Sequence, residues 1–133
     1  MPSRHRLGEH LFGAGFVDNI AGRMVPILLL VVSNVFMTVA WYGHLRHKDS
    51  ALWKAILVSW LIAFVEYCFQ VPANRWGYGR FSAFELKTIQ EAISLSVFVV
   101  FAVVYLKEDV KWNYLVGFGL MVAAVFFVFK KWD

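Results

Sequence analysis

Val25 to Leu45 reads VPILLLVVSNVFMTVAWYGHL, twenty-one residues without one Asp, Glu, Lys or Arg. Twenty helical residues, rising about 1.5 Å each, cover the roughly 30 Å of hydrocarbon in a bilayer, so this run is long enough to cross one. Pro26 suits a first helical turn, where its missing N–H has no partner to lose. Outward from this span, residues 46–50 are polar, and a second apolar run from Ala51 to Val71 carries Lys54 near its start and Glu66 well inside. Pro72 is expected to stop that helix, because proline disfavours helical backbone in the residue before it. The stretch PANRWGYGRFS, Pro72 to Ser82, is then expected to be a loop. A third segment starts amphipathic (AFELKTIQEAISLS) and ends apolar at Val97 to Leu106. Lys107, Glu108, Asp109 and Lys111 connect it to the last run, Trp112 to Phe129, which Lys130 and Lys131 anchor.

Composition demands the same solvent. Of 133 residues, 60% are hydrophobic and 18% aromatic, with a mean hydropathy of +0.61, against an apolar share of about 45–50% in soluble domains. A single small domain buries only about two thirds of its unfolded surface, so much of this apolar surface must meet lipid. The expected fold is an all-α integral membrane protein with four transmembrane helices, at about 25–45, 51–71, 84–106 and 112–130, within one domain over 25–131. Little chain is left for a catalytic domain.

Residues 1–24 stand apart, as an N-terminal tail or a helix lying in the headgroup plane. Arg4, Arg6 and Arg23 accompany Phe12, Phe16, Ile20 and Met24 at i, i+4 spacing, the pattern of an interfacial helix. Gly8, Gly13, Gly15 and Gly22 weigh against it. The net charge of +4 is dispersed in short clusters beside the apolar runs, which reads as contact with the lipid bilayer rather than with nucleic acid. Arg4, Arg6, Arg23, Arg75, Arg80, Lys87, Lys130 and Lys131 fall on one side of the membrane, and Arg46, Lys48, Lys54, Lys107 and Lys111 on the other. That excess puts both termini in the cytoplasm. The lone Cys68 forms no intrachain disulfide, and His5, His10, His44 and His47 lack a ligand spacing. No metal site and no cofactor is expected, and the absence of nucleotide-loop, HExxH or GxSxG patterns speaks against an enzyme.

Polar residues inside spans carry the functional signal, because an ionisable group in hydrocarbon costs about 2.5–3.5 kcal/mol on insertion scales and normally faces protein or a watery cavity. Glu66 leads. With Ser59, Ala63 and Gln70 it forms one narrow stripe on the second helix, which either lines a substrate pathway or lets Glu66 pair with Arg75 or Arg80 near the helix end. Asn34, Thr38 and Trp41 share a face of the first helix, as a ligand surface or as interhelical hydrogen bonding. Glu91 is deep enough on the third helix to join Glu66 in an acidic cavity, and Trp60 and Tyr67 are the aromatics within reach of a ligand. Gly117, Gly119, Ala123 and Ala124 repeat on one side of the last helix, as close helix packing requires.

The first span together with EYCFQVPANRWGYGRFSAFELKTIQEAISLSVFVVFAVVYLKEDVKWNYLVGFGLMVAAVFFVF resembles a functionally uncharacterised family of small four-helix proteins in the drug/metabolite transporter superfamily. The likeness covers about Val25 to Lys130 and is most specific in EYCFQVPANR, where Pro72, Asn74 and Arg75 form a loop motif. GFGLMVAAV is similar to the last helix of small multidrug resistance transporters. That similarity implies a small-multidrug-resistance-like bundle and a homodimer through helix four, with Gly117 and Ala124 at the small-residue positions. Those transporters carry a glutamate in the middle of helix one, and the matching position here is Asn34, whose amide exchanges no proton at neutral pH. The resemblance implies a membrane transporter of a small organic or cationic solute, in the cell membrane or the inner membrane of a Gram-negative cell. The alternative is a non-transporting small subunit packed against a larger membrane complex.

Overall fold

The computed structural model describes the backbone of residues 4–132 and the side chains of residues 13–132. Four helices follow one another: α1 Arg4–Tyr42, α2 Leu52–Gly77, α3 Ala83–Val104 and α4 Trp112–Phe129, with a single 3₁₀ turn at Gly43–Arg46. All four are long and apolar enough to cross a membrane, and the chain is a multi-pass helical bundle. Helix α1 is its centre. Both α2 and α3 pack on α1, whereas α4 packs on α3 and buries none of its residues.

Helix α1 departs from expectation at its start. Residues 4–24 form neither a tail nor a separate interfacial element but continue the first span as one helix of 39 residues, a rod of about 58 Å at 1.5 Å per residue. Pro26 sits inside it, fully buried. The α2–α3 turn supports the extension from the side: the Arg80 guanidinium lies where a side chain on Gly22 would be, and the Arg23 guanidinium is 5.7 Å from the Phe81 ring centre. Phe16, Ile20 and Met24 of the apolar stripe are exposed, while the side chains of Arg4, His5, Arg6, His10 and Phe12 lie outside the described residues.

The second departure is at Pro72. Helix α2 runs through it to Gly77, so Pro72, Asn74 and Arg75 are helical and not a loop motif. A proline inside a helix costs about 3 kcal/mol, and packing offsets that here. Ala73 is fully buried, and Gly77 lies against Pro26 of α1 and Leu86 of α3. The actual turn is short and sharp, with Gly79 at a φ of 101°, a backbone region that glycine enters without steric cost. Ser82 then caps α3: its hydroxyl accepts from the Glu85 N–H at 3.1 Å, and its own N–H donates to the Glu85 carboxylate at 2.8 Å.

Candidate functional site

The α1–α2 seam changes character along its length. It is apolar at Pro26 and Gly77, polar for two turns around Ser33, and aromatic where Phe36 and Phe69 stack with ring centres 5.7 Å apart. In the polar stretch Ser33, Asn34, Thr38, Glu66 and Gln70 are all buried, Glu66 being 7% exposed. It is the only ionisable side chain among the buried described residues. The Ser33 hydroxyl bridges the two helices, with Oγ 3.0 Å from Glu66 Oε1 and 2.6 Å from Gln70 Oε1. Gln70 Nε2 in turn donates to Gln90 Oε1 of α3 at 3.0 Å, so three helices meet in one hydrogen-bonded chain.

Beside this chain α1 and α2 bound an open-sided cavity of about 520 Å³. Glu66 and Gln70 contribute to its wall at the end that Gln90 closes, and Trp41, Ser59, Trp60 and Tyr67 line the remainder. The aromatic groups are accessible, with Trp60 at 64% and Tyr67 at 61% exposure. A carboxyl group at the polar end of an aromatic-walled cavity can hold a positive charge by ion pairing and by attraction to ring faces. Among the described residues, no three His, Cys, Asp or Glu side chains converge as a metal site would need.

Each residue singled out in the sequence has a definite place. Glu66, Gln70, Ser59, Trp60 and Tyr67 share the cavity. Asn34 and Thr38 are buried nearby in the packed core instead of lining it. Asn34 Nδ2 donates to the Leu30 carbonyl at 2.7 Å, and its Oδ1 meets no partner among the described residues. Glu91 does not join Glu66 in an acidic cavity. It pairs with Lys87 at 2.6 Å on the exposed part of α3 and borders a separate groove against α4, because one residue beyond Gln90 is a rotation of about 100° away from α2. Glu66 takes Ser33 as its partner, not Arg75 or Arg80. Gly117 and Gly119 of α4 face open space, and Ala124 lines the α3–α4 groove.

Ser33 is the residue of this hydrogen-bonded chain that sequence reading missed. The available signal was that Ser33 opens the only polar dipeptide in the first span, SN at 33–34. Two neighbouring polar residues on a helix point about 100° apart, and each needs a partner helix of its own.

A family model described as "Putative member of DMT superfamily (DUF486)" matches residues 26–129. Neither curated proteins nor solved structures gave a match.

Proposed function

The chain belongs to the DUF486 family of the DMT superfamily, and from that premise we propose that it is a membrane transporter of a small organic cation. One observation carries the reading: the buried Glu66 carboxyl at the polar end of a cavity of about 520 Å³ whose other walls include Trp41, Trp60 and Tyr67. A lipophilic cation gains from both features, the ion pair supplying charge compensation and the rings a surface that tolerates varied shapes. The pathway candidates are Glu66, Gln70, Ser59, Trp60 and Tyr67, with Asn34 and Thr38 supporting the helix that backs them. In this reading the protein is no enzyme and needs no cofactor. It sits in the cell membrane, which is the inner membrane if the source is Gram-negative, with both termini cytoplasmic by the excess of Lys and Arg on that side.

A second copy completes the transporter. Four helices enclose little interior, and α4, with no buried residue of its own, is free to pack against another α4 at its small residues, among which Gly117 and Gly119 meet nothing among the described residues. The same bare helix also favours a second reading, a non-transporting subunit docked by α4 on a larger complex. Purification in gentle detergent followed by crosslinking separates the two: a dimer-sized product supports the transporter, and a stoichiometric foreign partner supports the subunit. For transport itself, reconstituted liposomes are tested for uptake across a panel of organic cations. Wild type is expected to outpace Glu66→Gln, and equal flux in the two would overturn the role given to Glu66.

A further inference from the structure

A hydroxyl carries one proton, and the Ser33 hydroxyl has two acceptor-type oxygens within reach, Glu66 Oε1 at 3.0 Å and Gln70 Oε1 at 2.6 Å. It donates once and accepts otherwise, so one of these contacts needs its proton from the other side. Two patterns bracket the charge states of the acid. In one, Glu66 is a neutral acid: its O–H donates to Ser33 Oγ, Ser33 donates to Gln70 Oε1, and Gln70 Nε2 donates to Gln90 Oε1. In the other, Glu66 is a carboxylate: Ser33 donates to Glu66, Gln70 turns its amide so that Nε2 donates to Ser33, and Gln90 turns so that its Nε2 donates to Gln70 Oε1. The two ends of an amide have nearly the same size, so the second pattern needs no backbone movement. A carboxylate with Gln70 unturned leaves two acceptors facing each other in a buried place, which folded proteins avoid, whereas a neutral acid with its proton on Oε2 accepts from Ser33 and also fits the turned amides. The orientation Gln70 adopts, with Nε2 toward Gln90, belongs to the neutral-acid pattern.

We propose that Glu66 is a proton-binding site whose occupancy is relayed by Ser33 and Gln70 to Gln90, so that α3 is told the charge state of an acid on α2. The proposal deepens the transporter reading and rests on it for the cavity through which the proton reaches Glu66. One proton is added to Glu66 Oε1, and the Ser33 proton swings from Glu66 to Gln70 by rotation about its Cβ–Oγ bond. Each amide makes a half turn, no N–H bond breaks, and no proton travels beyond Glu66. A carboxylate therefore requires the reversed direction of the hydrogen bond that joins α2 to α3 at this level, and only the neutral acid permits the direction with Gln70 Nε2 toward Gln90.

Glu66 is the only carboxyl group in the hydrogen-bonded chain. Helix α1 presents Leu30, Ser33, Asn34 and Met37 at this level, with no titratable side chain. Tyr67 of α2 and His44 of the 3₁₀ turn line the same cavity, His44 at its opposite end beside Leu52 and Ala55. On α3 the charged neighbours of Gln90 are Lys87 and Glu91, which pair with each other and border the groove against α4. Helix α4 packs chiefly on α3 among the described residues.

The test uses the full chain in liposomes without solute, with its glutamine side chains carbon-labelled at the carbonyl, followed by infrared difference spectroscopy across pH. Wild type should show a carboxylic-acid C=O band that disappears as pH rises, accompanied by a shift in the labelled glutamine band. Glu66→Gln should lose the acid band and the shift. Ser33→Ala should keep the acid band and lose the shift. If that variant does not fold, Gln90→Ala, at a half-buried position, should keep the acid band and diminish the shift. A glutamine band unmoved as the acid titrates, a shift undiminished in the Ser33 or Gln90 variant, or the absence of any acid band removed by Glu66→Gln would each overturn the relay. Because no solute is present, an intact relay with equal flux in wild type and Glu66→Gln would overturn the transporter reading alone.

Discussion

Gly77 of α2 packs against Pro26 of α1 so closely that a Cβ on Gly77 would stand 3.2 Å from the proline Cβ and 2.8 Å from Cδ2 of Leu86. Three helices converge on that hydrogen atom, where the proline ring is rigid and Leu86 is itself buried. Gly77→Ala is therefore expected to destabilise the protein by about 1–3 kcal/mol, the usual cost of overpacking. Gly22→Ala provides the contrast. Its new methyl meets the Arg80 guanidinium, the far end of a long side chain that can swing away, and its effect should stay within about 0.5 kcal/mol. Thermal unfolding of the two variants in the same detergent checks both numbers.

Ser33→Ala removes the hydroxyl that bridges Glu66 and Gln70. The buried polar atoms left without a partner should cost about 1–3 kcal/mol. Ser96→Ala, which loses only an exposed hydroxyl bonded to the Ala92 carbonyl of its own helix, should change stability far less. The difference between the two midpoints is the measurement.

Trp60→Ala should weaken binding of a lipophilic aromatic cation by about 2- to 30-fold, corresponding to about 0.5–2 kcal/mol for a cation over an aromatic face. Trp112 starts α4, outside the cavity, and is 78% exposed. Trp112→Ala should leave the affinity unchanged. Equilibrium binding of a fluorescent cation to reconstituted protein decides, and equal losses in both variants would count against the cavity.

Gly117→Ile puts a branched side chain at a position of α4 that meets nothing among the described residues. The fold should tolerate it, since no residue of α4 is buried. Crosslinked dimer should nonetheless be lost, because small residues are what allow two membrane helices to approach. An undiminished dimer band in a folded variant would move the interface elsewhere.

Much of the architecture was legible in the sequence because lipid imposes a simple rule: a span needs about 20 residues that are mostly apolar. Val25 to Leu45 and Trp112 to Phe129 met it without ambiguity. The limits of α1 and α2 were not legible, since they depend on contacts between distant residues. Four glycines argued against helix before Met24, and Pro72 argued for a stop; packing of the α2–α3 turn against α1 overrode both local signals. At the site, the charge of Glu66 drew attention because its burial is costly, and Gln70 followed from helical spacing. Ser33 has no such cost and no such spacing to betray it. Its importance arises only once α1 and α2 are juxtaposed, thirty-three residues apart in sequence from Glu66. Glu91 was misplaced for the converse reason. Rotation about the axis of α3, fixed by which face α1 covers, is not written in the local sequence.

Every member of the polar chain lies at or before Gln90, and α4 starts at Trp112. Synthesis proceeds from the N-terminus, so the ribosome has delivered all four of these side chains before it begins the final helix. The three-helix hydrogen-bonded chain can thus assemble while the protein is still being made, leaving the helix with no buried residue as a late addition.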